Sequence, residues 1–191
     1  MIVVYGGTFN PPTIAHQEIV KVVIEKFKPD KFILLPVGDH YTWKDSFVSF
    51  DHRKRMLELA FPNELTCVST IEKEETYKGT YQSLLTIKNT YNKEVYFLLG
   101  ADNIDYLEQW INYQKLISEF HFIVLERPGF EAWKIINEKF YKYRDRFKII
   151  QLDIHISASM FRDNPDNFEI IPSEVYEYIK ENELYGVKKH V

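Results

Sequence analysis

The sequence predicts an α/β protein built on a parallel sheet wound with helices on both faces. Three observations carry that reading. Short apolar runs alternate with helical patterns along nearly the whole chain, as repeated strand–helix–strand units require. The inner runs Phe97-Leu98-Leu99 and Phe122-Ile123-Val124-Leu125 are continuously apolar, the mark of strands covered on both faces. A glycine- and proline-rich turn over residues 6–16 follows the first run directly, at the edge where such sheets bind ligands.

The elements follow in order. Ile2–Tyr5 is a β-branched and aromatic run and reads as the first strand. Ile14–Lys26 repeats apolar residues at three- and four-residue spacing and reads as an amphipathic helix. Lys31–Pro36 is the second strand, and Gly38 to Phe50 lacks either period, which predicts a long loop bordering the site. Asp51–Ala60 is helical and Leu65–Ser69 a strand; Thr80–Tyr91 is helical and Val95–Leu99 a strand. Helical spacing returns over Ile104–Trp110 and Tyr113–Glu119, then a strand over Phe120–Leu125, a helix over Glu131–Arg144 and a strand over Phe147–Gln151. No linker, repeat or low-complexity tract interrupts the series, so residues 1–191 are expected to form one domain.

Composition narrows the function classes. The chain has 45% hydrophobic and 27% charged residues, ordinary for a globular protein able to bury a core. A net charge of −4 argues against a surface for nucleic acid. The one cysteine, Cys67, cannot build an internal disulfide or a structural zinc site and suits a reducing compartment. No basic-then-apolar leader opens the chain and no apolar run approaches membrane-spanning length, so the cytoplasm is expected and a membrane partner is not. The six histidines are scattered without zinc-binding spacing, and no protein-side metal cage is expected. Aromatic residues make up 16%, enough to fill a core and to line a pocket that stacks a flat ring.

The turn reads Gly6-Gly7-Thr8-Phe9-Asn10-Pro11-Pro12-Thr13-Ile14-Ala15-His16. Glycines let backbone approach a ligand, prolines suit a strand-to-helix turn, and the helix start offers N–H groups and a positive dipole end to phosphate. His16 falls in or near the first helical turn, within reach of an anion there. No Walker A loop occurs in the chain. The lesser alternative, for the segment read alone, is a buried turn with a helix-capping histidine.

The turn resembles the G-x-F-x-P-x-H-x-G-H signature of nucleotidyltransferases that move AMP or CMP onto a phosphate, a family with a Rossmann-like fold. His16 matches the second histidine and Thr13 stands at the first; Asn10 and Ala15 replace a common aspartate and the usual glycine. The resemblance implies that Gly7, Thr8, Phe9, Thr13 and His16 serve ATP, with His16 at the triphosphate. Threonine at the Thr13 position is a known variant in phosphopantetheine adenylyltransferase.

Three further stretches appear in matching order. Gly100-Ala101-Asp102 ends a strand; an aspartate there can accept from ribose hydroxyls, while alone it is a helix cap. With Trp110 and Arg127-Pro128-Gly129 it looks like the G-A-D…W…R-P-G run of nicotinate-nucleotide adenylyltransferases, in which the tryptophan stacks on the pyridine ring and the Gly/Asp pair holds the ribose. Ile156-Ser157-Ala158-Ser159-Met160-Phe161-Arg162 is similar to the I-S-S-T-x-I-R signature: its serines can cap a helix and meet phosphate, and a guanidinium one turn on can clamp two phosphate oxygens. The tail from Pro172 to Tyr185 looks like the family's P-x-x-V-x-x-Y-I…L-Y ending.

Weaker matches concern the acceptor. Lys44 aligns, after one inserted residue, with the basic residue that meets the mononucleotide phosphate. Thr80, in Gly79-Thr80-Tyr81-Gln82-Ser83-Leu84, stands at the position that helps hold the nicotinate carboxylate, without the tyrosine that usually precedes it. Arg53 matches a family arginine and reads on its own as a charge on a helix surface.

Taken together, the resemblance implies an enzyme that joins ATP and nicotinate mononucleotide into the deamido dinucleotide with release of pyrophosphate, in NAD biosynthesis. It implies catalytic roles for His16, Arg162 and Lys44; ATP contacts also from Gly100, Asp102, Ile156 and Ser157; acceptor contacts from Lys44, Thr80 and Trp110; and magnesium arriving with ATP. Two other readings stay open: transfer to phosphopantetheine or another small acceptor, and a nucleotide-binding protein without turnover.

Overall fold

The structure, a computed structural model, describes residues 1–40, 48–73 and 77–188. Six strands form one sheet: β1 (Ile2–Gly7), β2 (Lys31–Pro36), β3 (Thr66–Val68), β4 (Val95–Gly100), β5 (His121–Glu126) and β6 (Phe147–Gln151). All neighbours are parallel and the order is β3-β2-β1-β4-β5-β6. This is the doubly wound arrangement, with the order reversing between β1 and β4.

Alternation along the strands divides the core in two. Ile2, Val4, Phe97, Leu99, Phe122 and Val124 face one side. They meet Leu84 and Ile87 of α3 (Thr80–Tyr91), Ile104 of α4 (Ala101–Asp105), Leu116 and Ile117 of α5 (Tyr113–Glu119) and Ile136 of α6 (Ala132–Lys139). Val3, Leu34, Leu98, Ile123 and Leu125 face the other. There they meet Val20 and Val23 of α1 (Ile14–Phe27), Met56 and Leu57 of α2 (Phe50–Ala60), Phe161 of α7 (Ala158–Asp163) and Val175 and Ile179 of α8 (Ser173–Glu181). Burial of both faces is what makes the inner strands apolar at every position.

Three elements differ from expectation. Edge strand β3 is cut to three residues, because only β2 pairs with it. The helix expected over Ile104–Trp110 instead starts at Ala101 straight off β4, and a short 3-10 turn over Leu107–Gln109 follows. Trp110 itself is extended, at φ −76° and ψ 146°. The helix expected over Glu131–Arg144 stops at Lys139: Phe140 leaves helical geometry and buries its ring against Phe147, at 6.1 Å between centroids. A buried aromatic decides where that helix ends, which periodicity does not report.

Candidate functional site

The register opens a cleft at the switch point. β1 stays paired to β2 through Gly6↔Leu35 and Gly7↔Pro36, but its pairing to β4 ends at Tyr5↔Leu98. Beyond that, Gly6 and Gly7 diverge from Leu99 and Gly100, and two cavities fill the gap. One, of about 410 Å³, is walled by Leu35, Val37, Phe97, Leu99, Thr80 and Trp110. The other, of about 510 Å³, includes Tyr5, His16, Asp102, Arg127, Ser157 and Arg162. They share Gly6, Thr8, Gly100 and Asn103 along their common border.

Two glycines are explained locally. A Cβ on Gly7 would sit 3.1 Å from the Phe9 ring, which folds back over it with Phe9 at φ 47°. One on Gly100 would meet Asp102 Oδ1 at 2.4 Å, so a side chain here would displace the carboxylate that follows the strand.

His16 is the third residue of α1, where glutamate or glutamine stands in a capping box. The Thr13 backbone N–H donates to its Nδ1 at 3.0 Å, and the Thr13 hydroxyl lies 2.8 Å from the same nitrogen. A backbone N–H can only donate, so Nδ1 carries the lone pair, the threonine hydroxyl donates to it, and the ring proton resides on Nε2. The ring packs against Phe9 and Tyr5, at 5.2 Å and 6.1 Å between centroids. Burial, aided by the Arg127 charge, pushes its pKa down to about 4. His16 therefore meets the cavity as a neutral imidazole with one N–H donor.

The expected result is a ring that titrates near pH 4 and shows the Nε2–H tautomer in ¹⁵N NMR; titration between 6 and 7 would refute it. Because the folded pKa lies below the ordinary value of 6.5, the neutral ring's contribution to stability is complete above pH 6.5 and is lost as pH falls toward 4.

Around the same cavity, Ser157 stands at the N-cap position of α7 in extended geometry, and its hydroxyl lies 2.8 Å from that of Ser159 rather than capping the helix. Arg162, on the last turn of α7, donates from Nη1 to the Asn10 carbonyl at 2.6 Å. Arg127 leaves the end of β5 exposed, and among the described residues it joins no ion pair. Hydroxyls, an imidazole N–H and two guanidinium groups make this cavity a setting for a polyanion.

The smaller cavity is more apolar. Trp110 is half-buried, meets Phe97 edge-on at 6.1 Å and lines the cavity. Thr80 begins α3 with its Oγ1 3.1 Å from the Tyr77 hydroxyl, so a tyrosine three residues upstream partners the threonine. Glu72 also lines the wall; burial lifts its carboxyl to about 7, against the opposing hydrogen bond from Ser83 at 2.8 Å.

Of the expected ATP residues, Thr8, His16, Gly100, Asp102, Ile156, Ser157 and Arg162 line the larger cavity. Gly7 lines the smaller one, beside Thr80 and Trp110. Phe9 and Thr13 are buried beneath, at 1% and 0% exposure, and both contact His16. Lys44 lies outside the described residues. Arg53 is corrected from a surface charge to the largest fully buried side chain. It donates to the Val48 and Thr8 carbonyls at 2.8 and 3.0 Å and pairs with Asp39 at 2.9 Å. Sequence reasoning gave no role to Arg127 or Asn103; the R-P-G run was the signal for the first, and the adjacency of Asn103 to Asp102 for the second. Among the described residues no cluster of three or more His, Cys, Asp or Glu side chains could hold a metal. No helix among them is long and apolar enough to cross a membrane.

Comparison with known proteins adds to this geometry. Residues 4–180 match the family model described as cytidylyltransferase-like. A probable nicotinate-nucleotide adenylyltransferase of Acholeplasma laidlawii is 35% identical over 187 residues, covering 97% of each chain. A protein of Bacillus licheniformis with the same name is 33% identical, covering 95% of this chain and 96% of its own. In fold, the chain resembles the nicotinic acid mononucleotide adenylyltransferase of Plasmodium falciparum complexed with NaAD. The TM-score is 0.80 at 24% identity, over 99% of this chain and 98% of that one.

Proposed function

Because this chain belongs to the cytidylyltransferase-like family, we propose that it is an adenylyltransferase joining ATP to nicotinate mononucleotide, with nicotinate adenine dinucleotide and pyrophosphate as products. The observation that carries the reading is the pair of cavities meeting at Gly6, Thr8, Gly100 and Asn103, one polar and cationic, the other apolar and aromatic. A triphosphate suits the first and a flat pyridine ring the second, and the shared border is where the reacting atoms would meet.

The acceptor phosphate is already ionised, so it needs no general base. One of its oxygens attacks the α-phosphorus of ATP; a new P–O bond forms as the bond to the bridging oxygen breaks, and pyrophosphate leaves with that electron pair. The protein's task is alignment and charge stabilisation. His16 donates from Nε2 to the phosphates without itself changing charge. Arg162, with Arg127 opposite, offsets the charge accumulating on the leaving group. Lys44 is the proposed partner of the acceptor phosphate, and Asp102 of the ribose.

Magnesium is the proposed companion of ATP. The donor set fits an ion carried by the triphosphate itself: of the carboxylates lining the larger cavity, Glu126 accepts from the Ala132 N–H and Gln151 Nε2 and Asp102 is the other, so phosphate and water oxygens would complete the ion's shell. When bound, it draws charge from the phosphate oxygens. The partners are thus ATP and the mononucleotide, with no nucleic acid or membrane, and the proposed compartment is the cytoplasm, consistent with the free, half-buried Cys67.

Pyrophosphate release from ATP with a panel of acceptors tests the reading. Turnover with nicotinate mononucleotide supports it; turnover with phosphopantetheine alone, or with none, overturns it. Trp110→Ala should raise the KM for the mononucleotide about tenfold while leaving that for ATP within twofold, since loss of a stacking face is worth roughly 1–3 kcal/mol. Equal losses for both ligands with a lowered Tm would make Trp110 a packing residue only.

A further inference from the structure

We propose that Tyr185 is a positioning residue for Arg162, acting through Asn10, so that the closing turn of the chain fixes the guanidinium that holds the triphosphate. The inference rests on the reading of Arg162 as a phosphate clamp.

Asn10 is the shared element. It is 1% exposed, on the turn between β1 and α1, and receives bonds from distant parts of the chain. Its carbonyl accepts from Arg162 Nη1 at 2.6 Å, and its Oδ1 accepts from the Tyr185 hydroxyl, also at 2.6 Å. Oδ1 further takes the Val48 N–H at 3.4 Å. Among the described residues, the bond to Asn10 is the one protein hydrogen bond of the Arg162 guanidinium. A long exposed side chain with a single anchor is oriented by wherever that anchor sits, and the anchor's own side chain is held by Tyr185. An arginine already fixed loses less rotamer freedom when phosphate arrives.

Tyr185 acts on the same helix by a second route. Its ring meets Phe161, the residue before Arg162, edge-on at 5.7 Å between centroids. Its backbone is left-handed, at φ 55°, a conformation that a bulky side chain keeps only where its surroundings fix it. Burial holds the phenol well above its usual range, so the hydroxyl keeps its proton and remains a donor to Oδ1. Hydroxyl and ring together span the turn after β1 and the last turn of α7, two segments that frame the cationic cavity.

The test is Tyr185→Phe, which keeps the ring contact and deletes one oxygen. The expected result is a KM for ATP raised about tenfold, a KM for the mononucleotide within twofold of the parent, and a Tm close to the parent's. In an Arg162→Ala background the same substitution should change the KM for ATP less than twofold, because the group it positions is gone. The inference is overturned if Tyr185→Phe leaves the KM for ATP unchanged, or raises both constants alike. It is overturned equally if the effect persists in full without Arg162. Failure of the underlying reading is distinct: Arg162→Ala alone would then bind ATP as the parent does.

Discussion

His16→Ala is expected to lower kcat about a hundredfold with little change in either KM. An N–H donor aimed at developing phosphate charge in a water-poor site is worth on the order of 3 kcal/mol. The substitution also removes the acceptor of the Thr13 N–H and hydroxyl, so stability should fall by about 1 kcal/mol through the weakened helix start. His16→Gln separates the two effects. Glutamine at the third helical position restores the acceptor for the Thr13 N–H, as in a capping box, but withdraws the ring from the cavity. It should melt near the parent temperature and still lose most of kcat. Parental turnover in either folded variant would remove His16 from catalysis. The neutral, Nε2-protonated ring adds a further expectation: kcat should show no acid limb near pH 6.5 arising from this residue, because protonation begins only toward pH 4.

Arg162→Lys should prove nearly as damaging, raising the KM for ATP and slowing turnover to a combined loss of about a hundredfold in kcat/KM. A charge-assisted hydrogen bond is worth about 1.5–3 kcal/mol. The guanidinium spends Nη1 on the Asn10 carbonyl, and among the described residues no group takes its remaining donors, which can turn to phosphate. Lysine offers one nitrogen, which can be anchored or bound to ligand but cannot form the planar fork that does both. Steady-state kinetics in both substrates check this. If both constants match the parent, the carboxyl-terminal segment is a helix start and the cationic character of the cavity falls to Arg127.

These two residues also show what the sequence could mark: His16 lies in a strand–turn–helix unit whose glycines and prolines stand within a few residues of one another, Arg162 was marked by the resemblance of its segment, and the fold brings both to one cavity. Alternation of strand and helix, and strands apolar on both faces, likewise report short-range periodicity and burial, so the doubly wound sheet was legible directly. The helix limits at Phe140 and Trp110 were not, since a ring packing against the sheet overrides local spacing.

The tertiary structure alone decided how the site residues are held. Sequence counted Thr13 among the ATP contacts; the fold buries it and turns its N–H on His16, which fixes the proton on the other ring nitrogen. Sequence made Arg53 a surface charge; the fold buries it among the Thr8 and Val48 carbonyls and Asp39, acceptors supplied by segments that meet only on folding. Asn10, read as a departure from a common aspartate, is the point where Arg162 and Tyr185 converge from sequence separations of 152 and 175 residues. Local pattern specifies which elements form because its interactions span a few residues. Protonation state, orientation and burial depend on partners brought from far along the chain, and those exist only once the sheet has assembled.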